Sequence, residues 1–246
     1  MEQLTNSSIP IVILCGGNGI LIRENHERIS KALVPVGDWI LVYHVVDLYY
    51  RAGFRKFCLA SGYQGEELAK IVKNHPFHGA EITVMDTGLV SMTGDRIKKV
   101  RPFLDGHRIF GLTYSDTVSD VPLQKVLNHF IERNMICTLV AANLPTRFLI
   151  LGMRQSEDIV RGFTTRPVIE NDWVNGGFYF FNEDIFSTEY LGRASDGIVL
   201  EEEILRDLAK NLNLSAYKHK GFWQPVDSER DLQKVKVFLK DRISKP

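Results

Sequence analysis

The sequence has little of several features that would point to particular classes of protein. Its 30 Lys and Arg residues balance its 30 Asp and Glu residues. This lack of a basic excess argues against a nucleic-acid partner, and it means that any phosphate site must be local. We also find no apolar stretch near the N-terminus long enough for export or for spanning a membrane. We therefore expect a cytoplasmic protein with no membrane partner.

Cysteine is scarce as well. The 246 residues include three cysteines, at Cys15, Cys58 and Cys137. They lie far apart, so their spacing matches no paired zinc-binding arrangement. Cys15 and Cys58 belong to apolar, strand-like runs, which indicates buried, reduced thiols.

What the first half does contain is an alternation of apolar strands and amphipathic helices. Helical spacing of apolar residues predicts helices ahead of Gly53, within Glu66–Asn74, and from Leu123 to about Asn134. This order favours an α/β fold with a mostly parallel, Rossmann-like sheet, whose ligands lie at the carboxyl ends of the strands. Strands are predicted at Ile11–Leu14, Lys56–Ala60, Glu81–Met85, Arg108–Thr113 and Cys137–Ala142.

The pattern changes after Asn143. Two C-terminal helices are predicted at Val199–Leu212 and Ser228–Arg242. We expect one domain over residues 1–246, with a body at about 9–143 and a smaller α+β part at about 144–246. Three short β-like runs precede the helices, at Phe148–Met153, Ile159–Thr164 and Gly176–Phe181.

The first predicted strand runs into a glycine loop, Cys15-Gly16-Gly17-Asn18-Gly19. Clustered glycines expose backbone N–H groups that can bind a phosphate, and Lys31 can add a positive charge. Glycines after a strand also mark ordinary tight turns, so the loop alone leaves both interpretations open.

Two further segments carry polar residues beside predicted strand ends. Thr93 and Arg96 lie near a helix start, where anions are favoured, although Thr93 could simply cap the helix. Asp116 follows an apolar strand and could hold a divalent cation against phosphate oxygens. An Asx-turn or a helix cap would also explain Asp116.

The last two segments lie in the second half. Asn175-Gly176-Gly177 allows close backbone approach to a sugar and offers amide hydrogen bonds, but a plain turn explains it nearly as well. Asp227 could be a second metal carboxylate that joins Asp116, since Mg²⁺ needs only one or two carboxylates plus substrate phosphates. Alternatively, Asp227 or Ser228 caps the last helix.

Five segments occur in an order that is familiar. From Ile11 to about Asp231 the chain resembles the sugar-phosphate nucleotidyltransferases, and most closely the glucose-1-phosphate cytidylyltransferases. The segments are Leu14-Cys15-Gly16-Gly17-Asn18-Gly19, Asp86-Thr87-Gly88 to Arg96, Thr113-Tyr114-Ser115-Asp116, Val174-Asn175-Gly176-Gly177-Phe178 and Gly221-Phe222-Trp223-Gln224-Pro225-Val226-Asp227.

The resemblance implies an enzyme that joins a nucleoside triphosphate, here CTP, to a sugar 1-phosphate or similar small phosphate, in nucleotide-sugar biosynthesis. It implies a homo-oligomer, and Mg²⁺ held by Asp116 and Asp227, with Lys31 on phosphate oxygens as the third catalytic residue. It also implies that residues 144–246 bind the acceptor, through Arg166, Asn175 and Gly176. The implied nucleotide contacts are Gly16, Gly17, Asn18, Gly19, Gly62, Thr93, Arg96 and Ser115.

The chain departs from the family pattern in the glycine loop. The family's loop continues Gly-Thr-Arg-Leu, whereas Ile20 and Leu21 occupy the threonine and arginine positions here, and Arg23 follows two residues later. Three hypotheses remain: a glucose-1-phosphate cytidylyltransferase, a nucleotidyltransferase with a different acceptor, and a non-catalytic homologue that binds a nucleotide or a partner protein.

Overall fold

The fold was obtained as a computed structural model, which describes residues 5–17, 20–22, 28–143, 150–152, 162–164, 173–193 and 195–243. For residues 20–22, 150–152, 162–164 and 241–243 it describes the backbone alone. Within these ranges, no helix is both long and apolar enough to cross a membrane.

Fifteen strands form in the described ranges, and seven of them make one central sheet. In chain order they are β1 (Pro10–Leu14), β2 (Ile20–Ile22), β3 (Arg28–Ser30), β4 (Pro35–Val36), β5 (Trp39–Ile40), β6 (Lys56–Ser61), β7 (Glu81–Asp86), β8 (Ile109–Tyr114), β9 (Thr117–Ser119), β10 (Cys137–Asn143), β11 (Ile150–Gly152), β12 (Gly162–Thr164), β13 (Trp173–Asn182), β14 (Leu214–His219) and β15 (Trp223–Pro225).

Seven α-helices accompany the strands in the described ranges. They are α1 (Leu41–Arg51), α2 (Gly65–Val72), α3 (Thr93–Lys99), α4 (Arg101–Leu104), α5 (Leu123–Arg133), α6 (Leu205–Lys210) and α7 (Glu229–Ile243). Three 3₁₀ turns and a π-helical turn complete the set, at Asn6–Ser8, Lys31–Leu33, Glu183–Phe186 and Leu200–Ile204.

The central sheet has the strand order β14-β10-β13-β8-β1-β6-β7. β1 lies between β6 and β8 and is parallel to both, and β6 is parallel to β7. β13 is antiparallel to its neighbours β8 and β10, whereas β10 and β14 are parallel. The predicted fold class, a mostly parallel sheet flanked by helices with smaller antiparallel pieces, is confirmed.

Alternate residues of β1 face two separate apolar clusters. Ile11 and Ile13 pack with α1, α2 and α5 on one face of the sheet. Val12 and Leu14 pack on the other face with α3, α4 and α6. Because both faces are covered, the strand is an unbroken apolar run rather than an alternating one. A third, smaller cluster joins α7 to β4 and β9.

The strands predicted in the first half are confirmed, each within one residue at either end. The second half differs from the prediction. Gly176–Phe181 belongs to β13, which lies inside the central sheet, and β14 was not predicted. β14 is an edge strand with several exposed positions, so it lacks the apolar pattern that reveals a buried strand. The helix predicted at Val199–Leu212 begins as a π-helical turn.

The three cysteines are free and buried, as predicted. Burial raises the pKa of the Cys58 thiol to about 12 and also raises the pKa of Cys15 and of Cys137. We therefore expect none of the three to react with a thiol reagent such as DTNB in the native protein, and all of them to react in guanidinium. Rapid native reaction would show that at least one of the thiols is accessible.

Candidate functional site

A pocket of about 500 Å³ opens where β1 and β8 end. The glycine loop after β1 contributes Cys15 and Gly17, and the turn after β8 contributes Ser115 and Asp116. The segment ahead of α3, in which Leu89 and its neighbours are exposed, also lines the pocket. The pocket therefore lies at the carboxyl ends of parallel strands, where ligands bind in sheets of this kind.

Lys31 joins two carboxylates beside this pocket. Its Nζ donates to Asp116 Oδ2 at 2.9 Å and to Asp227 Oδ1 at 2.6 Å. The Lys31 side chain is 15% exposed, whereas the Asp227 side chain is 56% exposed, so the contact runs from the interior to the surface. The structure thus brings together the three residues expected to be catalytic.

A short antiparallel pair of strands, β9 and β15, brings the two aspartates together. Thr117 pairs with Pro225, and the Val226 N–H donates to the Asp116 carbonyl at 2.8 Å. Asp116 and Asp227 therefore lie at the same end of this pair.

Lys31 reaches the carboxylates because the preceding backbone is held from two sides. β3 pairs with β2 and ends at Ser30, directly before the 3₁₀ turn that begins with Lys31. The Ser30 N–H donates to Gln64 Oε1 at 2.7 Å. These contacts fix the position of the backbone at Lys31, from which its side chain extends to the carboxylates.

Burial alone would lower the pKa of the Lys31 ammonium. Asp116 and Asp227 together outweigh this effect, and the net pKa is raised above its usual value. Lys31 is therefore charged at neutral pH, and its partners stabilise the folded protein until the pH rises above about 10.5.

The hydrogen bonds of Ser228 show which residue caps the last helix. Its Oγ accepts from the Asp231 N–H at 3.3 Å and donates to Asp231 Oδ2 at 2.7 Å. Ser228 is therefore the cap of α7, whereas Asp227 faces Lys31. Asp116 caps no helix either, since the next one, α5, begins at Leu123.

The Arg96 side chain lines the pocket, but its guanidinium donates to oxygens of the protein. Nη2 donates to the Gly16 carbonyl at 2.5 Å, and Nη1 donates to the carbonyls of Ser61 and Gly88 at 3.1 and 2.8 Å. Nη1 also reaches Thr87 Oγ1. The direct contact with a nucleotide that was expected of Arg96 stays a prediction.

Two other expected nucleotide contacts, Thr93 and Gly62, also have close partners within the protein. Thr93 lines the pocket, but its hydroxyl accepts from the Leu200 N–H at 2.8 Å rather than capping α3. Gly62 packs against the glycine loop, where an added Cβ would lie 2.7 Å from the Gly16 carbonyl oxygen.

The predicted sugar contacts at Asn175 and Gly176 lie within β13, not in a turn. The pairing of β13 with β10 shifts register here, and Gly177 has φ +75°, which few other residues adopt. Asn175 Nδ2 donates to the Tyr179 hydroxyl at 2.6 Å, so part of its amide is already engaged. The carbonyl of Gly176 accepts from Trp223 Nε1 at 2.8 Å.

Several predicted positions lie outside the described residues. They are Asn18 and Gly19 of the glycine loop, Arg23, and Arg166. The backbone of Leu21 lies in β2 opposite Ile29, but its side chain is not described.

The residues suit a metal ion only in part. Within the described part of the chain, no group of three or more His, Cys, Asp or Glu side chains could hold a metal. Asp116 and Asp227 already share a cation, the Lys31 ammonium, so two carboxylates converge on one position. This fits Mg²⁺ that is completed by substrate phosphates.

Comparison with known proteins gives the family. Residues 11–242 match the model of the family described as Nucleotidyl transferase. The chain belongs to this family. It is 30% identical over 249 aligned positions to a glucose-1-phosphate cytidylyltransferase of Salmonella typhimurium, covering 93% of each chain. It is 24% identical to a mannose-1-phosphate guanyltransferase of Debaryomyces hansenii, covering 95% of this chain and 65% of that one.

Solved structures agree with the fold of a nucleotidyltransferase. HddC from Yersinia pseudotuberculosis complexed with GMP-PN superposes with a TM-score of 0.71 at 15% identity, covering 94% of this chain and 99% of HddC. A putative glucose-1-phosphate thymidylyltransferase of Bacillus anthracis, in complex with a sucrose, gives a TM-score of 0.72 at 16% identity, covering 95% and 96%.

Sequence reasoning missed two residues that shape the site of this nucleotidyltransferase. Gln64 holds the Ser30 backbone and has a positive φ of 56°, and no local motif marks it. Thr87 is buried, donates to the Ser61 carbonyl at 2.6 Å, and lies beside Arg96. Thr87 belongs to the Asp86-Thr87-Gly88 segment of the family pattern, and this segment could have revealed it.

The capping assignment predicts losses of stability of different size for two neighbouring residues. Ser228→Ala removes the cap of α7 and should lower the free energy of unfolding by about 1–2 kcal/mol. Asp227→Ala removes only a half-exposed ion pair, which should cost less than about 0.5 kcal/mol. Urea unfolding of both variants measures this, with Ser228→Thr as the control that keeps a cap. A larger loss for Asp227→Ala would show that Asp227 has the structural role.

Proposed function

We propose that this protein joins CTP to a sugar 1-phosphate, or to a similar small phosphate, with release of pyrophosphate. The observation that carries the proposal is the convergence of Lys31, Asp116 and Asp227 beside the glycine loop. The relatives that are named as glucose-1-phosphate cytidylyltransferases support CTP and a sugar phosphate.

The reaction needs positioning and charge neutralisation more than it needs a proton carrier. An oxygen of the acceptor's phosphate attacks the α-phosphorus of the triphosphate, and a new P–O bond forms. The bond from the α-phosphorus to the bridging oxygen breaks, and its electrons leave with pyrophosphate. Because the attacking phosphate is already ionised, no general base is required. Lys31 supplies positive charge at the pocket wall for the phosphate oxygens.

Asp116 and Asp227 would hold Mg²⁺. When bound, the ion neutralises charge on the phosphate oxygens. The two carboxylates also hold the Lys31 ammonium in place, which sets the position of a charge that this chain itself provides.

A non-catalytic homologue is the alternative, because Leu21 stands where the family has an arginine. A protein that had lost its activity would have no need to keep a lysine and two aspartates converging within hydrogen-bonding distance. The intact cluster therefore favours an active enzyme. By the family resemblance, Asn175 and Arg166 would contact the acceptor.

Activity can be tested by measuring pyrophosphate release. We expect turnover with CTP and one of a panel of phosphorylated sugars, polyols and other small phosphates, in the presence of Mg²⁺. Asp227→Asn should lower kcat by about a hundredfold or more, since it removes one of the two carboxylates that would hold Mg²⁺ against the phosphate oxygens. The exposed Asp105, located after α4, provides the matched control Asp105→Asn, which should leave kcat unchanged.

UTP, dTTP, ATP and GTP complete the panel of nucleotides. Preference for one of them over CTP would show that the enzyme uses a nucleotide with a different base. The proposed type of reaction would still hold. No turnover with any pair, together with nucleotide binding that Asp227→Ala leaves unchanged, would favour the non-catalytic homologue.

A second prediction concerns the metal. Because the Lys31 ammonium lies against both carboxylates and offsets part of their charge, the free protein should bind Mg²⁺ weakly, and a non-hydrolysable CTP analogue should strengthen this binding. Lys31→Met should increase the affinity for Mg²⁺ in the absence of nucleotide, since the two aspartates then lose their cation. Isothermal titration calorimetry gives both affinities. Tight binding of Mg²⁺ to the free protein, unaffected by Lys31→Met, would show that Mg²⁺ and the Lys31 ammonium do not compete for one position between the two aspartates.

A further inference from the structure

The guanidinium of Arg96 is a buried charged group that the proposed function has not used. Arg96 is 2% exposed, and its hydrogen-bond acceptors among the described residues are carbonyl and hydroxyl oxygens rather than carboxylates. These oxygens belong to three segments: the glycine loop, the end of β6 and the segment after β7. The single planar guanidinium group therefore holds together loops that form part of the pocket.

The contact with Gly16 has a direct consequence for its neighbour Gly17. A trans peptide is planar, so the carbonyl of Gly16 and the N–H of Gly17 point in opposite directions. Since Arg96 Nη2 draws the Gly16 carbonyl to one side, the Gly17 N–H is turned to the other. Gly17 lines the pocket, whereas Gly16 packs against Arg96 and the Ser61 carbonyl.

Two glycines make room for this guanidinium. A Cβ on Gly16 would overlap Arg96 Nη1 and Cζ, and it would lie 2.8 Å from the Ser61 carbonyl oxygen. A Cβ on Gly62 would lie 3.1 Å from Arg96 Nη1 and 2.9 Å from the Gly88 carbonyl oxygen. Gly16 is thus explained by the position of Arg96, and Gly62 by the two carbonyl groups, of Gly16 and Gly88, to which Arg96 donates.

We propose that Arg96 is a positioning residue, which turns the Gly17 amide towards the triphosphate through its bond to the Gly16 carbonyl. The inference rests on the proposed function for the identity of the ligand. It differs from a direct contact because the arginine acts on the phosphates through a peptide group. A lysine cannot replace it, since one ammonium cannot serve the separate acceptors that the two Nη atoms reach.

Inorganic tripolyphosphate tests this inference without requiring a base, an acceptor or turnover. In protein labelled with ¹⁵N-glycine, tripolyphosphate should shift the Gly17 amide resonance. Arg96→Lys should move that resonance already in the free protein and weaken tripolyphosphate binding at least tenfold. Lys98→Met is the matched control: Lys98 also lies on α3, but its Nζ donates to the carbonyls of Arg193 and Ser195. This control should leave both quantities unchanged.

A double-mutant cycle distinguishes positioning from direct contact. Gly16→Ala should weaken tripolyphosphate binding strongly in the wild type but much less in an Arg96→Ala background, because the guanidinium that the new methyl group displaces is already gone. Additive effects, or a Gly17 resonance that tripolyphosphate does not shift, would overturn the inference. Thermal unfolding of each variant shows whether it is folded, and Arg96→Lys provides the second test if Gly16→Ala is not.

The outcomes for this inference and for the proposed function are separable. A shifted Gly17 resonance with no turnover on any substrate would uphold the positioning role and reject the proposed reaction. Turnover with CTP and an unshifted Gly17 resonance would uphold the proposed reaction and reject the positioning role. If turnover occurs, Arg96→Lys should raise KM for the nucleotide more than it raises KM for the acceptor.

Discussion

Parallel pairing of β1 with both β6 and β8 is the constraint on which the site depends. The pairing continues past the strand ends: the Cys15 N–H donates to the Ala60 carbonyl at 2.9 Å, and the Ser115 N–H donates to the Leu14 carbonyl at 3.2 Å. Because parallel strands end at the same edge, the loops that follow them meet there. The glycine loop, Gly62 and Asp116 are neighbours for this reason.

The second half of the chain completes this arrangement instead of standing apart from it. β13 enters the sheet between β8 and β10, and its antiparallel direction brings Asn175 to the edge where β8 ends. The β9–β15 pair then carries Asp227 to Asp116, and α7 is anchored by its own apolar cluster. One half of the chain therefore supplies the pocket, and the other supplies the second carboxylate.

The charged groups at this edge of the sheet have two different roles. Lys31 has carboxylate partners near the surface, where they could exchange it for another cation. Arg96 is buried among carbonyl groups, and its charge holds backbone segments together. Lys99 also holds a backbone segment, since its Nζ donates to the Thr87 carbonyl at 2.9 Å. The pocket is thus lined or supported by cations whose partners are mostly backbone oxygens as well as by one cation whose partners are carboxylates.

The long buried strands and helices of the first half could be predicted from the sequence, because burial on two faces leaves continuous apolar runs and helical spacing. The three-residue strands β9 and β15 could not, since segments so short carry no periodicity. Arg96 was expected to contact the nucleotide because an arginine beside a helix start is an anion signal. In the structure its partners are oxygens of the protein, most of them carbonyls, which every residue has and which no sequence pattern distinguishes. The nucleotide contact stays a prediction.

The sequence by itself determined the order of the buried strands and amphipathic helices of the first half, the glycine loop and the polar residues at the strand ends, because these depend on local spacing. Tertiary structure alone decided that Lys31 meets Asp116 and Asp227, which lie 85 and 196 positions further along the chain. It also decided that Ser228, not Asp227, caps α7. Contacts of this kind depend on how distant segments pair, and pairing is settled only when the whole sheet forms.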